Sequence, residues 1–259
     1  MPTTTGHAPG GSRRAGDPPR HHTRPTGLQV VGELLLTAGA VLLLFVAWQL
    51  WWTNLEAQGS HARAAAAIQG DLGGPVVPQD GVQKTGPPAV GSPPGYGEAI
   101  GVVHIPRFGD DYLRPVVEGT GTDVLDALGL GHYEHSAMPG DVGNFALAGH
   151  RQTNGKVLDL VHTLVPGDRI YVRTGEGYYT YTVRSHEIVA PTETRVVAAV
   201  PADPGARPTE RLLTLTTCHP RYGNTERYVV HAVLDTWRPA AAGPPAEAAD
   251  AFFPGGPRS

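Results

Sequence analysis

The pattern of apolar and polar positions changes character twice along the chain. Residues 34–52, LLLTAGAVLLLFVAWQLWW, carry no formal charge and show no polar period over 19 residues. At about 1.5 Å per residue a helix of that length spans roughly 28 Å, close to the ~30 Å core of a bilayer. Glu33 stands at one edge, and Trp48, Trp51 and Trp52 stand at the other as an aromatic belt would. The pattern predicts one transmembrane helix, with the anchor at 28–55. A cleaved signal peptide has a shorter apolar core followed by a small-x-small site, whereas this run ends in bulky tryptophans. EAQGSHARAAAAI at 56–68 continues the helical pattern through its alanines. From 70 to 95 the runs GGPVVPQDG, GPP and SPPG read as extended or turning chain. Residues 56–95 are therefore expected to be a linker that holds the next domain off the membrane.

Beyond residue 95 the apolar runs become short and rich in β-branched and aromatic residues. AIGVVHI at 99–105, NFALAG at 144–149, RIYVRT at 169–174, YYTYTVRSHEIV at 178–189, LLTLTTC at 212–218 and RYVVHAVL at 227–234 read as strands. They are separated by GTG, MPGD, VPGD and RTGEG, which predicts an all-β barrel or sandwich over 96–237. Residues 124–130 and 156–162 suit short helical turns. The two ends have another composition. Residues 1–27 and 238–259 are rich in Gly, Pro, Arg, His and Ala and are expected to be disordered tails, with Phe252 and Phe253 as a weak tether at most.

Charge and cysteine content narrow the classes. The 259 residues carry 20 Lys+Arg against 24 Asp+Glu, a net charge of −4 that lacks the positive field of a nucleic-acid binder. Arg13, Arg14, Arg20 and Arg24 precede the apolar run and only Arg63 follows it closely, so the N-terminus is expected inside and residue 96 onward outside the cell. A single cysteine excludes an internal disulfide framework and zinc sites built on two or more cysteines. His21 and His22 in the basic tail read as solvated. No Gly-rich signature opens a strand–helix unit, so no nucleotide cofactor is expected, and no other cofactor or metal.

The lone Cys218 closes the strand TLTTC before the chain turns through His219 and Pro220. It suits a buried apolar thiol, or a nucleophile presented from a rigid strand end. A nucleophile needs an acid–base partner and a donor for the developing oxyanion. Adjacent His219 points to the other side of the strand. His150 ends NFALAGH, where Gly149 permits close approach and His150 and Arg151 are expected to emerge together at a rim. His132 and His135 have metal-like spacing but no local third ligand. Arg227 lies nine residues after Cys218, which suits two antiparallel strands joined by a loop and returns a guanidinium to the cysteine. Its plainer reading is a surface salt bridge to Glu226 or Asp123, and Arg221 in the loop is its competitor.

FALAGHR around His150, TLTTCHP around Cys218 and TERYVVHA around Arg227 resemble the sortases, membrane-anchored cysteine transpeptidases of Gram-positive bacteria. RFGDDYLRPVVEGT at 107–120 and GHYEHSAMPGDVGNFALAGHR at 131–151 are similar to the class E housekeeping sortases of actinobacteria. The resemblance implies an eight-stranded β-barrel with short helices and a triad of His150, Cys218 and Arg227. It further implies substrate contacts at Tyr112 and Thr217, and cleavage of an LAxTG-like sorting signal between Thr and Gly. The acyl group would pass to an amine of a lipid-linked peptidoglycan precursor. After Cys218 the chain has Tyr222-Gly223, a departure that bears on substrate selection. A secreted Cys/His peptidase, an L,D-transpeptidase and a non-catalytic wall-binding β-domain are the other readings. The second is disfavoured by TTCH in place of SHGC.

Overall fold

Alternation along the strands decides how the sheet closes. In LLTLTTC, Leu213 and Leu215 point inward and are fully buried, while Thr214, Thr216 and Cys218 take the other face. The structure, a computed structural model, describes residues 26–79 and 82–256, the side chains of Leu50, Trp51 and Thr53 aside. The arginine-rich tail with His21 and His22 lies outside the described residues.

The chain divides into two units, 1–46 and 47–259. The first contains the start of α1 (Gly27–Asp71), whose most apolar window has a mean hydropathy of 2.4 and is long enough to cross a membrane. The second holds the rest of α1 and the barrel. Eight strands close in the order β1 (Ala99–His104), β2 (Leu113–Glu118), β3 (Leu130–His132), β4 (Gly143–Ala148), β7 (Arg211–His219), β8 (Glu226–Pro239), β6 (Gly177–Val189) and β5 (Arg169–Arg173). The β2–β3 and β4–β7 pairs are parallel and the rest antiparallel. Closure leaves no open sheet edge. Its interior is filled by Val103, Phe145, Leu147, Tyr181, Leu213, Leu215 and Val230, all fully buried.

Six strands coincide with those expected from the sequence. β2 and β3 do not, because β2 carries Pro115 and β3 is three residues long. Of the two expected helical turns, the first is α2 (Thr122–Ala127) and the second a 3-10 turn at Asp159–Thr163.

Two expectations for the flanking segments give way. The 70–95 stretch is laid along the barrel rather than free: Lys84 bridges Trp237, whose indole Nε1 donates to Gly86 O at 3.0 Å, and Tyr179 Oη donates to Ala89 O at 2.7 Å. The C-terminal stretch is also structured, with β8 reaching Pro239 and α3 at Ala249–Phe252. Phe252 is 1% exposed, its ring centroid 5.4 Å from that of Tyr178 and 6.2 Å from that of His104. An aromatic pair outside β1 and β5–β6 gives that tail the apolar partner its composition alone does not suggest. Gln69 at the end of α1 donates to Phe252 O at 2.8 Å, tying both chain ends of the second unit together.

Candidate active site

β7 and β8 bring two of the expected residues opposite each other. Cys218 pairs with Arg227 across the antiparallel ladder, and directly opposed residues project to one face with Cβ atoms ~5 Å apart. Cys218 is the one cysteine of the chain, reduced and partly exposed. The Arg227 guanidinium donates from Nη1 to Asn224 O at 3.0 Å and to Glu226 O at 2.9 Å, so its head group is held on the backbone of its own loop. No carboxylate among the described residues forms a salt bridge with it, which sets aside the pairing with Glu226 or Asp123.

β4 runs parallel to β7 with Ala148 against Thr216, which carries the next residues, Gly149 and His150, to the cysteine's end of the barrel. Hydrogen bonds bind this junction, beginning with Gly149 N to Thr216 O at 3.1 Å. Thr217 Oγ1 donates to Gly149 O at 2.7 Å, and Arg151 Nη1 donates to Cys218 O at 3.2 Å. His150 therefore stands between two residues bonded to the last turns of the cysteine strand. A Cβ on Gly149 would lie 2.8 Å from Val157, 2.9 Å from Leu130 and 3.0 Å from Leu158, so the close neighbours are side chains and not another backbone.

Arg151 departs from the expected rim position: it is 4% exposed beneath the strand end. Its Nη1 also donates to His219 Nδ1 at 2.8 Å, and its guanidinium carbon lies 5.6 Å from the Tyr228 ring centroid. Burial lowers its pKa, with nearby Asp159 acting in the opposite direction. Because a guanidinium only donates, His219 Nδ1 is the acceptor and its proton sits on Nε2. His219 is thereby engaged away from Cys218, as alternation requires. Arg221, the competitor, makes a two-pronged bond to Asp159 at 2.9 and 2.7 Å, which pins the β7–β8 loop.

The two residues expected to contact substrate also hold structure. Tyr112 is 6% exposed and its hydroxyl donates to Val157 O at 2.8 Å, buttressing the loop that follows His150. Thr217 is 3% exposed and engaged with Gly149. Each hydroxyl has its proton engaged by a backbone carbonyl. His132 Nδ1 donates to Glu118 at 2.7 Å and its Nε2 bonds the Ser136 hydroxyl at 2.7 Å, inside the barrel wall.

Three further groups were not singled out from sequence. Tyr133 Oη bonds Thr216 Oγ1 at 3.0 Å, placing a phenol on the outer face two residues from Cys218. Asp126 Oδ1 lies 2.6 Å from His150 Nε2. The extension of α1 packs on the same loop: Gly155 N donates to Asn54 Oδ1 at 3.3 Å, and the fully buried His61 lies against Gly155. Burial, Arg114 and His150 push the His61 pKa down to about 4. The α1 contacts fall in an unremarkable Ala/Gln helix whose only signal is a histidine among alanines.

Cys218 at a rigid strand end, Arg227 opposite it in the ladder and the His150 loop bonded to the same strand end bring together residue types suited to acyl transfer through a covalent thioester. The family model for the sortase domain matches residues 103–235. Sortase SrtE1 of Streptomyces coelicolor is 36% identical over 225 residues, 84% of this chain and 60% of that protein. This chain thus spans less than two thirds of that relative's length. The solved SrtA sortase from Actinomyces oris is similar with a TM-score of 0.61 at 42% identity, covering 64% of this chain and 95% of that one. Sortase E1 from Streptomyces coelicolor, solved with a tripeptide in its active site, is similar with a TM-score of 0.54 at 34% identity, covering 61% of this chain and 98% of that one. With the closed eight-stranded barrel and the matched domain taken together, the chain belongs to the sortase family.

Proposed function

We propose that this chain is a class E-like cysteine transpeptidase that cleaves an LAxTG-like sorting signal between Thr and Gly. It then joins the substrate protein to the amine of a lipid-linked peptidoglycan precursor. The observation that carries the reading is the pairing of Cys218 with Arg227 at a strand end to which the His150 loop is bonded on both sides of the histidine. The peptide seen in the active site of the Streptomyces coelicolor relative supports a peptide substrate.

Each group has one task. The Cys218 thiolate attacks the threonine carbonyl, and the new S–C bond places charge on the carbonyl oxygen. Arg227 and a backbone N–H at the strand end stabilise that charge. His150, as imidazolium, gives a proton to the glycine nitrogen as the C–N bond breaks, and a thioester remains. The neutral imidazole then takes a proton from the incoming amine, whose attack forms the new amide and releases the thiolate. No cofactor enters. Tyr112, the residue associated by resemblance with the LAxTG preference, acts through its bond to Val157 by shaping the loop behind His150. The N-terminal helix confines enzyme, exported substrate and lipid-linked acceptor to one surface, which raises their effective concentration.

The test is the full chain in detergent with LAxTG and LPxTG peptides, with and without an amine acceptor. Acyl transfer that is lost in Cys218→Ala and favours LAxTG is the expected result. Hydrolysis that no amine diverts marks a Cys/His peptidase, and peptide binding that survives Cys218→Ala without turnover marks a binding domain.

A further inference from the structure

We propose that Asp126 on α2 is a positioning residue for His150, holding the imidazole with a proton on Nε2 so that Nδ1 is the nitrogen that exchanges protons with the two amines. The inference rests on the assignment of His150 as acid–base group.

One carboxylate oxygen gathers both ends of the histidine turn. Asp126 Oδ1 lies 2.6 Å from His150 Nε2 and 2.6 Å from Asn154 Nδ2. An ionised carboxylate only accepts, so both nitrogens donate to it. Asn154 has a positive φ of 46°, a conformation that Asn tolerates, and this turn brings its amide back beside the imidazole.

The helix that carries the carboxylate is itself held. Val124 of α2 is 1% exposed, Tyr96 Oη donates to Asp123 at 2.7 Å, and Ser60 of α1 reaches Ala127 O at 3.4 Å. On its other flank the histidine loop is fixed by Asn54 against Gly155 and by Tyr112 against Val157. A half-exposed carboxylate against a quarter-exposed imidazole adds little folding stability. Its weight falls on orientation and tautomer, and an imidazole whose proton sits on the wrong nitrogen cannot accept one where the chemistry occurs.

In the proton ledger of the reaction Nε2–H stays bonded to Asp126 throughout, and no proton passes to the carboxylate. Nδ1–H is spent on the glycine amine as the peptide C–N bond breaks, and Nδ1 is reprotonated by the acceptor amine as the thioester S–C bond breaks.

The experiment uses the full chain in detergent micelles, labelled with 15N-histidine, with the His150 signals assigned by their loss in His150→Ala. In the wild type the neutral ring is expected to show Nε2 protonated and Nδ1 bare. In Asp126→Ala it becomes a mixture of tautomers, while kcat for peptide transfer falls about tenfold or more with KM within about twofold. Asp126→Glu restores part of kcat. An unchanged tautomer in Asp126→Ala, or a kcat that stays level or rises, overturns the proposal. Asp126→Asn repeats the measurement should the alanine variant lose its fold. The tautomer readout needs no turnover, so a chain that transfers no peptide yet changes tautomer defeats the functional reading and upholds Asp126. Transfer with an unchanged tautomer defeats Asp126 alone.

Discussion

Thr217 stands next to the nucleophile but its hydroxyl works on the histidine side, through Gly149 O. Thr217→Val keeps the shape and removes the bond, leaving a buried carbonyl without its donor. That costs about 1–3 kcal/mol of stability and loosens the junction that carries His150. The expected outcome is a lower melting temperature and a kcat reduced more than KM is raised, read by calorimetry and peptide kinetics on the same preparation. Arg227→Lys asks a different question. A lysine keeps the charge but not the planar fork, so kcat is expected to fall at least tenfold if two parallel donors meet the oxyanion. A kcat within twofold of wild type would reduce Arg227 to a general source of positive field. The pairing of Cys218 with Arg227 was legible in the sequence because a nine-residue offset within one hairpin fixes register locally. Arg151 and Asp126 were not, since what decides them is distance across the fold: Arg151 reaches Cys218 O and Asp126 reaches His150 from a helix 24 residues earlier.

Elements show the same division between local and tertiary information. The strands with clean alternation were readable, and the two that were missed are stabilised by neighbours, with β2 held between β1 and β3. The helical extension after the apolar run was readable from its alanines, but not its docking, which needs a surface to dock on. That docking is expected to be acid-sensitive. Both ring nitrogens of His61 are buried without a partner among the described residues, and its pKa is lowered from 6.5 to about 4 by burial first, then by Arg114 and His150. A lowered folded-state value means the folded chain binds fewer protons than the unfolded one. Its contribution is intact above pH 6.5 and is lost as the pH falls towards 4. His61→Leu removes the titrating group and its two buried, unpartnered nitrogens. Its melting temperature is expected to exceed that of the wild type at pH 4.5 by clearly more than at pH 7.5. An equal difference at both pH values would show that His61 does not titrate on unfolding. The C-terminal segment gives a second check at this scale. Phe252→Ala opens a cavity between Tyr178 and His104 and should destabilise the second unit by about 3 kcal/mol or more, visible as a lowered unfolding midpoint in urea.

At the scale of the whole molecule the remaining question is on which side of the membrane the barrel stands. The apolar run of α1 fixes that a crossing is possible but not its direction, since a helix of 45 residues reads the same from either end. Direction comes from the charges beside it. Arg13, Arg14, Arg20 and Arg24 lie on one side, and after the tryptophans the nearest basic residue is Arg63. Cytoplasmic flanks are the ones that retain such an excess, and Trp48 and Trp52, stacked at 5.9 Å, suit the opposite interface. The proposed function requires that direction, because the exported substrate and lipid-linked wall precursor it names would meet only on the outer surface. Intact protoplasts carrying the chain with an epitope at each end should therefore lose the C-terminal epitope to added protease while the N-terminal one is kept. A cleaved signal gives a different pattern, with the N-terminal epitope missing from the mature chain before any protease is added. A protected barrel in intact cells would reverse the orientation and leave the proposed acceptor out of reach of Cys218.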